Sequence, residues 1–200
     1  MSATVAGLIE TTEGHLRDQL AARAEPDIPA AAAIVARVGR VCSALEAERF
    51  RGGPRDQPWH VAVSSYGHAC EQVERECPGD EVAGGVSVFG AAADFVVTSS
   101  PTWTRQEAAA ATARLVELGH TAGVVLQRYS PAPIPAVWWL SSAGQRVIDQ
   151  SRDRVGRDGR AWAVLDRPVP LLHAPLATLN LDQPPRTPLP RPDPNQEPER

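Results

Sequence analysis

Apolar side chains recur along this chain at alternating intervals of three and four residues, and no proline falls inside any of the series. Trp59, Val63, Tyr66, Cys70, Val73 and Cys77 form one seam; Ala108, Ala111, Leu115, Leu118, Ala122, Val125 and Tyr129 form a longer one. Such spacing lines one side of an α-helix and turns it towards a partner. Period-two alternation, the mark of a half-buried strand, is sustained nowhere. The pattern predicts an all-α protein, an antiparallel bundle of five to six helices, dominated by local contacts.

The boundaries follow from punctuation. Ser2 or Thr4 can cap a first helix bearing Val5, Leu8, Ile9, Leu16 and Leu20, which stops at Glu25-Pro26 because the residue before proline is pushed out of the α region. A second helix, with Ile34, Val35, Val38, Val41, Cys42 and Leu45, stops at Gly52-Gly53-Pro54. Asp56 or Gln57 caps the third, with Pro58 in its first turn and Cys77-Pro78-Gly79 at its end. Asp80 is expected to cap the fourth. That helix carries Val82, Val86, Phe89, Ala93 and Val96 on one face and small or apolar residues on the other, a composition expected at the centre of a bundle. Thr104 to Glu107 reads as a capping box opening the fifth helix. A sixth opens near Pro135 and fades over 152–160, followed by a short strand or turn at 162–165.

Of the 19 prolines, ten lie in 166–200. This divides the chain into a helical body, 1–165, and a proline-rich, extended or disordered tail, 166–200, that would serve as a docking or spacer arm. Leu171, Leu172, Leu176, Leu179 and Leu181 could pack on the body or a partner. Residues 183–200 hold too few apolar groups to offset the entropy of ordering.

Composition removes several functions. The 20 basic residues are all arginine against 24 acidic ones, a net charge of −4, which argues against a strongly basic nucleic-acid binder. Without lysine there is neither a lysine-bearing phosphate loop nor Schiff-base chemistry. G-x-S-x-G and H-E-x-x-H are also absent. No uninterrupted apolar run reaches the ~18 residues that suggest a membrane span, and no leader pattern is visible. Three cysteines, Cys42, Cys70 and Cys77, form no even disulfide framework; they predict buried, reduced thiols and a cytoplasmic setting. No cofactor is expected.

Four constellations carry what chemistry there is. Glu117 and His120 form an E-x-x-H unit, the spacing that di-metal bundles use twice; here it occurs once, and Leu118 rather than either ligand lies on the core seam. Asp94 is the sole ionisable group in the apolar stretch 86–97; burial would demand a partner, with Arg114 or Arg128 as candidates. Trp138 and Trp139, being adjacent, project about 100° apart and are candidate anchors for a protein partner, the alternative being that they pack under the leucine-rich stretch 171–181; a homo-oligomer is a separate expectation. Finally, residues 137–148, VWWLSSAGQRVI, resemble the wing strand and following helix of winged-helix regulators. The resemblance implies a DNA-binding transcriptional regulator built on residues 104–148. Residues 104–119 would be its recognition helix, 121–130 and 137–140 its wing strands, and Arg105, Gln106 and Arg114 its contacts to bases and phosphates. Arg152, Arg154, Arg157 and Arg160 would add positive charge, diluted by Asp153 and Asp158. The sequence departs from that pattern in its alanine-rich helix, in the three prolines of the supposed wing, and in a seam that runs on to Tyr129.

Helical seams without catalytic motifs lead to an expected non-enzymatic bundle acting through protein–protein contacts. The winged-helix regulator and a ligand- or metal-binding bundle are the alternatives.

Overall fold

The computed structural model describes residues 3–22, 26–49, 57–81 and 84–170, and among them it is an all-α bundle. Six long helices follow one another: α1 (Val5–Ala21), α2 (Ile28–Arg49), α3 (Gln57–Glu76), α4 (Gly84–Ser99), α5 (Arg105–Tyr129) and α6 (Pro135–Val155). A single turn, α7 (Gly159–Trp162), and a 3-10 turn, Ala163–Asp166, close the body where a strand or turn is expected.

The helices form two layers of three. One layer runs α4, α2, α3 and the other α1, α5, α6, so that α4 lies on α1, α2 on α5 and α3 on α6. Each helix reverses the direction of the one before. The layer order nevertheless places two parallel neighbours side by side. Arg114 meets Glu13 near the middles of α5 and α1, while the Tyr129 hydroxyl donates to the Leu20 carbonyl near their ends. Asp80 N–H donates to Pro29 O ahead of α4, and Arg37 reaches Asp94 further down.

Local signals fall where the spacing puts them. The Thr4 hydroxyl accepts from Gly7 N–H at 3.1 Å and opens α1. The Thr104 hydroxyl accepts from Glu107 N–H at 3.2 Å, while Thr104 N–H donates to the Glu107 carboxylate at 2.7 Å, completing the capping box. Pro135 opens α6.

One expectation is corrected, while the expected cap at Asp80 adjoins residues 82–83, which lie outside the described residues. The fourth helix, described from Gly84 onward, lies at an edge, packed chiefly against α1 and α2, with Ser87, Asp94, Val97 and Thr98 exposed. The centre belongs to α2 and α5. Ala30 to Ala33 and Ala108 to Ala111 are all buried, because a helix packed on several sides needs small side chains on several faces. Close approach is most pronounced where α2 crosses α3: a Cβ on Gly39 would stand 2.4 Å from Cys70 Cβ, so only glycine admits this separation. The Ile28–Ala47 stretch of α2 is long and apolar enough to cross a membrane by length and composition, unlike the expectation above, and 67% of that window is buried inside the bundle.

Residues 167–169 belong to the body, which moves the expected boundary at 166. Val169 N–H donates to Ala3 O at 2.8 Å, Pro168 bridges Thr4, and Arg167 pairs with Glu107 beside the Trp103 ring. The remainder of the tail, 171–200, and with it the expected arm, lies outside the described residues.

Candidate functional site

The inward face of α6 is occupied by Val137, Leu140, Gly144, Val147, Ile148 and Ser151, all buried against α5 and α3. Positions 138 and 139 both fall outside that arc. Trp138 is 68% exposed and Trp139 67%, the most exposed of the large apolar side chains among the described residues. Such adjacency cannot be absorbed by a single buried stripe, and among the described residues no other helix covers the outer side of α6 there. Trp139 borders a groove of about 410 Å³ between α3 and α6, which also takes in His68, Gln72, Arg75 and Arg146 above a floor containing Ala69 and Ala143.

A second groove, about 310 Å³, crosses α1, α5 and α6 on the outer face of the other layer, and here Arg114, Glu117 and His120 do come together. Glu13, only 7% exposed, accepts from Arg17 at 2.8 Å and from Arg114 at 2.7 Å, one oxygen for each. Glu117 accepts from Arg114 at 3.4 Å and from Arg152 at 3.1 Å. Burial alone would lower the basicity of the Arg114 guanidinium; the hydrogen bond and charge of Glu13, reinforced by Glu117, outweigh it and push the group upward. The E-x-x-H unit is therefore part of an ion-pair ladder that pins three helices, with His120 exposed at its margin. Among the described residues no group of three or more His, Cys, Asp or Glu side chains is placed to hold a metal.

Asp94 is not buried. Its side chain is 73% exposed and accepts from Arg37 of α2 at 2.6 Å; neither Arg114 nor Arg128 is its partner. The expectation fails because α4 lies at the edge, and Asp94 sits on its solvent side. Arg128 is exposed over the Tyr129 ring, 5.2 Å from its centre.

The winged-helix geometry is absent. Residues 121–129 continue α5 and 137–140 open α6, so both supposed wing strands are helical. The supposed recognition helix is enclosed by α1, α2, α6 and α7. Arg105 and Gln106 are exposed at its start, whereas Arg114 is held by carboxylates.

The thiols differ in access. Cys42 and Cys70 are buried between α2 and α3, and Cys77 is half-buried. Burial, with Cys70 adding to it, pushes the Cys42 thiol well above its ordinary range; burial likewise takes Cys70 up to about 12. A disulfide reagent at pH 8 is expected to label one thiol per folded chain, Cys77, and the other two only on unfolding. Two thiols reacting at equal rates in the native protein would refute this. The same shifts have a sign for stability. Above pH 9 the unfolded chain has released thiol protons that the folded chain holds towards pH 12, so stability is expected to fall as pH rises through that window.

Glu13, Arg75, Arg146 and His68 escape sequence reading as a site. Only the Glu13–Arg17 spacing of four residues is visible in one dimension. The contacts across helices leave no local signature.

No family model, curated protein or solved structure matches this chain.

Proposed function

We propose that this chain is a non-enzymatic interaction protein whose contact surface is the outer side of α6 around Trp138 and Trp139. The observation that carries the reading is the exposure of two adjacent tryptophans, 68% and 67%, on a rigid helix of an otherwise well-packed bundle. Large, stiff aromatic side chains with a polar edge lose little entropy on docking and concentrate binding energy, which is why tryptophan is enriched at contact hot spots. Adding to this, the charged groups Glu13, Arg17, Arg114 and Glu117 of the α1–α5–α6 groove are engaged with one another, which leaves them little for chemistry on a substrate.

The test compares the full chain with a Trp138→Ser/Trp139→Ser variant. Both side chains are exposed, so the thermal midpoint is expected to move by no more than about 2 °C. The wild-type chain should retain a reproducible protein partner from a lysate of its own source, and the variant should lose at least about tenfold of it. Equal retention by both chains, or a wild-type chain that retains nothing, sinks the proposal.

A further inference from the structure

We infer that the groove between α3 and α6 takes an acidic segment of a protein partner that carries at least one large apolar side chain. This rests on the interaction reading above and specifies the chemistry of what binds. The shape comes first. The groove has a volume of about 410 Å³, a floor that includes Ala69 and Ala143, and the Trp139 indole as a wall. From Ser65 to Arg75 it follows α3 for about 15 Å at the rise of an α-helix, room for a short helix or a few extended residues. An apolar side chain laid on the small floor would cover the indole face that water now touches.

The charge pattern then selects the partner. The groove presents Arg75, Arg146 and His68, and no carboxylate lines it. The α2–α3 groove, by contrast, contains Glu71 and Glu74, and the α1–α5–α6 groove contains Glu13 and Glu117. Neighbouring carboxylates are already engaged: Glu76 accepts from Gln72 and from Ala136 N–H, Asp149 from Gln145, and Glu71 lies 3.5 Å from His68. Among the described residues neither Arg75 nor Arg146 has an ion-pair partner; Arg75 Nε donates only to the Glu71 carbonyl of its own helix. On a chain of net charge −4, a groove with two unpaired guanidiniums beside an exposed tryptophan is a local reversal of sign. Guanidinium forks suit carboxylates in two-point contact, and the adjoining indole supplies the apolar half of the recognition.

Selection of phage-displayed random twelve-residue peptides on the immobilised full chain tests this, followed by titration of one enriched, fluorescently labelled peptide. Enriched sequences are expected to place Asp or Glu next to Leu, Phe or Trp. Binding should weaken at least about tenfold in Arg75→Glu/Arg146→Glu and in Trp139→Ala, and should weaken as salt rises. The inference is overturned by absence of enrichment, by enriched peptides without acidic residues, or by undiminished binding to the charge-reversed chain. It is also overturned if the groove is already filled, either by a second copy, seen as a dimer that Trp139→Ala dissociates, or by residues 171–200, seen as competition by that free peptide. If Trp138→Ser/Trp139→Ser loses its cellular partner while the selected peptides carry no acid, the interaction reading stands and this one alone falls.

Discussion

Gly119→Ala is expected to lower the stability of the bundle by about 1–2 kcal/mol, and Tyr66→Phe in the same chain to return most of the loss. Gly119 lies in α5 where α2 and α3 converge. A Cβ at this position would stand 2.2 Å from the Tyr66 hydroxyl oxygen, well inside contact distance. The ring has little room to retreat, because Tyr66 is 1% exposed and a Cβ on Gly144 of α6 would already meet its Cε2 at 3.3 Å. Overpacking of this kind costs about 1–3 kcal/mol, against which alanine recovers up to about 1 kcal/mol of helix propensity. Without the hydroxyl, the nearest atoms to the new methyl are Val38 Cγ1 at 3.3 Å and Tyr66 Cζ at 3.6 Å, distances met by small shifts. Tyr66→Phe alone should stay within about 1 kcal/mol of neutral, since the buried hydroxyl makes no well-formed hydrogen bond among the described residues and has only the weakly polar Cys70 thiol beside it. Urea denaturation of the four chains of the cycle measures the coupling. An equal cost of Gly119→Ala in the two backgrounds would show that the hydroxyl is not what the methyl meets.

The second large effect is expected at Glu13. Glu13→Ala should cost about 2–3 kcal/mol, while Arg17→Ala should cost less than about 0.5 kcal/mol, although both remove a 2.8 Å or shorter contact to the same carboxylate. The difference is burial. The Arg17 side chain is 70% exposed and exchanges its partner for water; that of Arg114 is 20% exposed and would keep only Glu117, at 3.4 Å. A charge left inside with half its compensation is the expensive outcome, and the magnitude lies below that of a fully buried pair because Arg114 retains that second carboxylate and some water. A double-mutant cycle on Glu13 and Arg114, read by chemical denaturation, should show coupling of about 1–2 kcal/mol. Additive single effects would reduce the ladder to a surface feature.

Much of the fold is legible in one dimension because its signals are local. The Thr104–Glu107 box, the proline at the start of α6 and the seam through Trp59 and Val73 each describe a helix to itself, and each element stands where its residues place it. The errors arise where a residue must choose among neighbours. Asp94 looks buried from a helix that is apolar on both faces, yet mean apolarity does not rank helices by depth; the alanine blocks of α2 and α5 do, because they permit approach from several directions at once. The VWWL motif suggests a wing because a short apolar run is ambiguous between strand and helix. Pro135 at the first helical position and the continuing stripe from Val137 to Ser151 resolve it in favour of helix.

The candidate surface divides along the same line. That Trp138 and Trp139 cannot both be buried follows from their adjacency and the 100° step of a helix. That Arg75 and Arg146 share a groove with Trp139 does not, since residues some seventy positions apart meet only after α3 and α6 have packed. By itself the sequence determined the six long helices, most of their described limits and the stripe each turns inward, all consequences of hydrogen bonding and side-chain spacing within about four residues. Only the tertiary structure decided which helices are central, which charges pair and which remain without a partner. Those outcomes depend on how six helices share one core, and on distances that no local interaction sets.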